Sequence, residues 1–155
     1  MKFIADRTLG KLVKWLRIMG FDTSCYRGAI DRGFLEQGAK EGRVVLTRRR
    51  DMAEREFRGH MIVIGSDRVE SQISELCDLL SLRPDRDALF SRCIRCNERL
   101  QDIAKSDVED RVPPYVYRTQ DVFQVCPRCD TVYWAGTHRE RMFSFMERHN
   151  LTDRP

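Results

Sequence analysis

The chain has 155 residues, 41% of them hydrophobic and 34% charged, with 28 Lys and Arg against 24 Asp and Glu for a formal net charge of +4. That length supports one real hydrophobic core and a small appendage. No run approaches the ~20 consecutive apolar residues of a membrane span, so no membrane helix is expected and a soluble globular protein is.

The start, "MKFIADRTLG", carries an acidic residue at position 6 and a helical pattern behind it. It lacks the basic, apolar and small-residue order of a secretory signal, and a cytoplasmic protein is expected. The first 80 residues then alternate short apolar runs with helical patterns, as an α/β sheet does. "KFIA" reads as a strand ending at Asp6. Leu9, Leu12, Val13, Leu16 and Met19 recur at helical spacing, and Gly20 closes that helix. "FDTSCY" is a second strand, Asp31 opens a short helix through about Lys40, and "VVLT" is a third strand. A helix over Asp51–Phe57, the strand "MIVIG" and an amphipathic helix over Val69–Leu80 complete a βαβαβαβα order. "SLRPDRDALFSR" reads as a linker, which divides the chain into a sheet domain, 1–82, and a cysteine-bearing domain, 91–150, ending in a helix.

Four of the six cysteines form Cys93-x2-Cys96 and Cys126-x2-Cys129, and Cys25 and Cys77 stand alone as small buried hydrophobes. Two such pairs supply four thiolates at the spacing of tetrahedral zinc, and Pro127 stiffens the second turn. A disulfide pair or a redox C-x2-C is the competing reading, and a reducing compartment argues against it. The stretch 97–125 exceeds the usual finger spacing and reads as β-rich, including "VPPYVYRTQDVFQV". A structural zinc ribbon with an insertion is expected rather than a finger with a recognition helix.

Arg dominates the basic side and collects in "TRRRDMAEREFRGH" and "THRERMFSFMERH". Its planar guanidinium contacts phosphate bidentately, so either a polyanionic partner or a solvated surface of mixed charge is implied. Asp6 ends strand one, Asp31 starts the second helix, and Asp51 and Asp67 follow strands three and four, so several of these carboxylates share the carboxyl edge where open α/β sheets bind ligands. Carboxylates gathered there suit Mg²⁺ or another hard divalent cation, although Asp31 and Asp51 also stand where helix N-caps do. Lys11, Lys14 and Arg17 belong to the polar face of the first helix, and Arg7 and Lys11 flank Asp6 closely enough to meet a phosphate. Tyr133, Trp134 and His138 adjoin the second cysteine pair, where aromatics either cover a small core or stack on unpaired bases.

The segments "FIADRTLGKLVKWLRIMGFDTSCY", "GRVVLTR", "FSRCIRCNERL", "RVPPYVY" and "CPRCDTVYWAGTHRERM", in this order, resemble the mutator-seven C-terminal ribonuclease family over about residues 2–142. The most specific pieces are the strand-Asp-x2-Leu-Gly-Lys-Leu start and the end Tyr133-Trp134-x-Gly136-x-His138. The resemblance implies a PIN-like three-layer α/β/α sheet domain followed by a small four-cysteine zinc ribbon. It also implies acidic residues that bind Mg²⁺ or Mn²⁺, and RNA as substrate. Asp6 matches the first acidic position and Asp31 the second. The third departs, because the family's Thr-Arg-Asp is here Thr47-Arg48-Arg49. Either Asp51 replaces the missing carboxylate, with help from Asp67, or the site has lost a ligand.

The leading expectation is a metal-dependent hydrolase of RNA phosphodiester bonds, with Asp6, Asp31 and Asp51 catalytic. Arg7, Lys11, Lys14, Arg48, Trp134 and His138 would contact RNA, expected to be single-stranded. The alternatives are a catalytically weakened RNA-binding module and a protein that meets another protein through its ribbon.

Overall fold

A computed structural model of the chain describes residues 1–149 and 151, with the side chain of His138 outside the described residues. Strands β1 (Lys2–Asp6), β2 (Asp22–Tyr26), β3 (Val44–Thr47) and β4 (Met61–Val63) form a parallel sheet in the order β2-β1-β3-β4. All four residues of β3 are buried, as expected of a parallel strand covered on both faces. Side chains alternate between the faces. Phe3, Ala5, Val44 and Leu46 pack with α1 (Gly10–Ile18) and α3 (Val69–Leu80). Ile4 and Val45 pack with Phe34 and Leu35 of α2 (Arg32–Glu41) and with Met52. The result is the three-layer α/β/α sandwich. At Gly38 a β-carbon would collide with the Val45 side chain, so glycine is what lets α2 lie close to the sheet.

Several elements differ from the sequence reading. The helix expected over Asp51–Phe57 is a single 3-10 turn, Arg50–Glu54, since Met52 is its one buried side chain and a second turn has no apolar face to bury. The expected β-rich insertion holds a 3-10 segment, Lys105–Arg111, and α4 (Pro114–Thr119). Pro114 sits at the first helical position, where its fixed φ favours a helix start and its missing N–H costs nothing. Val108, Val112, Val116 and Phe123 close a separate small core around that insertion. Strands β5 (Gln101–Ile103), β6 (Phe123–Val125) and β7 (Val132–Trp134) make the antiparallel ribbon, in the order β5-β6-β7.

The helix that the sequence groups with the ribbon, α5 (Thr137–Arg148), sends its apolar side elsewhere. Met142, Phe145, Met146 and the following Leu151 join the α1/α3 core, with the Phe145 ring 4.7 Å from Trp15. Arg17, expected on the polar face of α1, is buried. Its Nε donates to the Thr23 carbonyl at 2.9 Å and its Nη1 to the Ile94 and Arg95 carbonyls at 2.9 and 3.0 Å. The first cysteine turn is thereby clamped to α1 and to β2, the edge strand.

Candidate active site and metal centre

Asp6 ends β1, an inner strand of the sheet, and is 1% exposed. A buried carboxylate needs partners, and short-range sequence supplies them. The Asp-x-Thr order makes a turn in which Oδ1 accepts from the Thr8 amide at 2.8 Å and from the Thr8 hydroxyl. Thr47, at the end of the neighbouring β3, donates its hydroxyl to Oδ2 at 2.7 Å, and the Arg48 amide approaches the same oxygen at 3.4 Å. Strand alternation puts Asp6 and Thr47 on the face of Ile4 and Val45, where α2 lies.

Asp31 caps α2 on that face, accepting from the Gly33 amide at 2.9 Å, and is exposed. Asp51 lies in the 3-10 turn past β3 and is gripped bidentately by Arg49, with Nε to Oδ1 at 3.0 Å and Nη2 to Oδ2 at 2.6 Å. The pairing holds the Asp51 carboxyl below the usual carboxylate range and raises the Arg49 guanidinium. Arg49 also donates through Nη1 to the Ile30 carbonyl at 2.9 Å, one residue before Asp31. Asp67 pairs with Arg48. Asp6, Asp31 and Asp51 therefore share one edge without meeting. Among the described residues, the four cysteines are the one group of three or more His, Cys, Asp or Glu whose ligand atoms all lie within 4.8 Å.

For a hard cation the donor chemistry fits, since Asp6, Thr47 and Asp31 offer oxygen and Mg²⁺ needs only one or two carboxylates beside water and phosphate. Protein donors approach both Asp6 oxygens, so a cation would have to displace a threonine hydroxyl to reach them. Of the RNA-contacting candidates, Lys11 and Arg48 line one hollow of about 450 Å³ at this edge, with Thr8, Asp67 and Gln72. Arg7 is exposed beside it in sequence. Lys14 lines a different cleft. Trp134, 38% exposed, lies on β7 against a small hollow shared with Phe90, Val122 and Arg139, apart from Asp6.

The four cysteines of the candidate metal centre come together in one place. Cys93 and Cys96 come from one tight turn, Cys126 and Cys129 from its twin. In each turn the first cysteine's carbonyl accepts from the residue after the second, Asn97 or Asp130 at 2.9 Å. Both of these residues adopt positive φ, 71° and 59°, which Asn and Asp tolerate. The sulfur pairs Cys93–Cys129 and Cys96–Cys126 stand 3.5 and 3.3 Å apart. A tetrahedral zinc with Zn–S bonds near 2.3 Å asks for edges of about 3.8 Å, so the four thiols are placed for it. Hydrogen bonds from Thr131 hold the Cys129 thiol at about 6, and burial pushes Cys96 up to about 12. Tyr133, 3.1 Å from the Cys93 sulfur, supports the cluster from outside. Sequence reasoning gave it no such role, and only the folded register of β7 reveals it.

Sheet order, helices on both faces and the appended ribbon define a three-layer α/β/α domain carrying a four-cysteine module consistent with a zinc ribbon. The Mut7-C RNAse domain matches residues 1–146, and the chain belongs to that family. Among curated proteins and solved structures, none gives a significant match.

Proposed function

We propose that the protein is a Mg²⁺- or Mn²⁺-dependent ribonuclease whose reaction centre is built on Asp6 at the carboxyl edge of the sheet. The position of Asp6 carries the reading: a carboxylate 1% exposed, at the end of an inner parallel strand, with Thr8 and Thr47 aimed at it. Family membership supports RNA as substrate. Asp6 and Asp31 are the residues that would hold the cation, with Thr47 as a neutral oxygen donor. When bound, such a cation polarises the phosphodiester and makes water a better nucleophile. The chain's own part is to fix Asp6 through its threonines and to meet phosphate oxygens with Lys11 and Arg48. Zinc in the ribbon is structural, because four protein thiolates leave no open position for chemistry. The cytoplasm suits these reduced thiols.

A second reading has its own support. Arg49 occupies Asp51 and places a cation near the carboxylates, which favours a weakened metal site and an RNA-binding role. Asp6→Asn decides whether Asp6 works in catalysis. It keeps the side-chain shape and removes the charge, so Mn²⁺-dependent cleavage of RNA should fall roughly a thousandfold, as loss of several kcal/mol of barrier stabilisation implies. RNA binding should stay within about threefold. Cleavage that survives Asp6→Asn would refute the nuclease centre, and wild type that cleaves no RNA with either metal would favour the second reading.

A further inference from the structure

Away from the hollow beside Asp6, a cleft of about 850 Å³ lies between the sheet domain and the ribbon, walled by α1, the outer edge of β2 and both cysteine turns. Seven cations line it, Lys14, Arg17, Arg27, Arg43, Arg92, Arg95 and Arg128, against two carboxylates, Asp22 and Glu98. The whole chain has 28 against 24, so the excess is local. Asp22 is moreover already neutralised, accepting from Arg43 at 2.6 Å and from Asn97 at 2.8 Å.

The cations divide by what they do in the fold. Arg17, Arg43 and Arg92 are spent on internal carbonyls and carboxylates. Lys14, Arg27 and Arg128 are exposed and, among the described residues, have neither an ion pair nor a side-chain hydrogen bond, and Arg95 makes only a 3.3 Å contact to Thr131. Counter-charge for a four-thiolate zinc would account for Arg95 and Arg128, which sit in the cysteine turns. It does not account for Lys14 and Arg27, which come from the other domain. Arg27 also fixes the direction of the cleft. It follows Tyr26, the register partner of Asp6, so the cleft runs from the cysteine turns to the carboxyl edge that holds Asp6.

We infer that this cleft holds the sugar-phosphate backbone of a single RNA strand and leads it to the Asp6 edge; the assignment of RNA rests on the ribonuclease reading above. Its size fits about two or three nucleotides, the scale of a drug-sized ligand, and not a duplex. No Phe, Tyr or Trp lines it, so bases have no stacking platform there and recognition is of phosphates, with little sequence preference. Trp134, the stacking candidate from sequence, lies on another wall.

The test is binding of a labelled oligouridylate of about ten nucleotides to full-length Asp6→Asn protein over a salt series, which separates binding from turnover. Adding Lys14→Ala, Arg27→Ala and Arg128→Ala should weaken binding roughly ten- to a hundredfold. The slope of log affinity against log salt should shrink by about 2, at ~0.7 per lost contact. Arg58→Ala with Arg118→Ala, which removes exposed cations outside the cleft, should have a several-fold smaller effect. Arg27→Lys with Arg128→Lys, which keeps the charge, should retain most of the affinity. Zinc content and the melting transition of each variant report that the fold is intact. A folded, zinc-loaded triple variant that binds with wild-type affinity and slope overturns the cleft assignment while leaving the Asp6 centre standing. Equal losses from the cleft and control variants overturn it as well, because charge alone would then explain binding. Loss of cleavage in Asp6→Asn, read separately, bears on the catalytic centre and not on the cleft.

Discussion

At Arg49, where the resemblance read from the sequence implies a carboxylate, the guanidinium ties Asp51 to the Ile30 carbonyl beside Asp31. The same residue thus braces the loop before α2 and supplies positive charge where a divalent cation would bind. A cation beside a carboxylate disfavours a second cation there. Arg49→Asp should therefore tighten Mn²⁺ binding about tenfold and speed RNA cleavage, as read by metal titration and turnover. Asp51→Asn should change either quantity little, since Asp51 is occupied by Arg49. If Asp51→Asn proves as damaging as Asp6→Asn, Asp51 is a ligand and this account of Arg49 fails. At this scale sequence gave the identity of the carboxylates and not their state. Asp6 was legible because a charged residue closing an apolar strand demands partners. That Thr8 and Thr47 provide them, and that Arg49 takes Asp51 away, depends on rotamers that no spacing rule encodes.

Two cysteine turns of like geometry, Cys93–Cys96 and Cys126–Cys129, carry the ribbon as an element. The three short strands around them bury few apolar residues, so a bound zinc would supply much of the folding free energy. Cys93→Ser or Cys126→Ser should release about one zinc per chain and loosen residues 91–136, visible as new proteolytic sites there. Purified wild type without zinc would contradict this. The turns were readable because C-x2-C is a local signal. The elements of the sheet domain were readable for the related reason that a period of 3.6 or 2 is local too, as in the helix Val69–Leu80. The insertion was misread because Val, Tyr and paired prolines favour strand or turn composition, whereas Pro114 at a first helical position starts a turn of helix that Val116 anchors in the small core.

In the whole molecule the two parts are joined by groups far apart in sequence, and this is what the sequence could not disclose. Arg17 looks like one more solvated cation until the ribbon places two carbonyls against it. The edge of β2, otherwise an open row of backbone groups, is met by Asn97, whose side chain accepts from the Thr23 amide at 3.0 Å and donates to Asp22 at 2.8 Å. Within the sheet domain Arg43 holds Asp22 in place for that contact, at 2.6 Å. Burial alone would raise the Asp22 carboxyl, but the hydrogen bonds from Arg43 and Asn97 outweigh it and hold the group below its ordinary 3.8. A carboxyl depressed in the folded state stabilises when ionised, so its contribution is full above the unfolded value and is lost as pH falls through the folded one. Asp22→Asn should accordingly cost about 1–2 kcal/mol near neutrality, a drop of about 2–8 °C in melting temperature for a chain of this size. The gap between wild type and variant should stay constant above about pH 5 and narrow below pH 4. Zinc content is read at each pH, because loss of zinc would loosen Asn97 and close the gap for a separate reason. A gap that is absent at neutral pH, or that widens on acidification, would show that Asp22 does not hold the two parts together as a carboxylate.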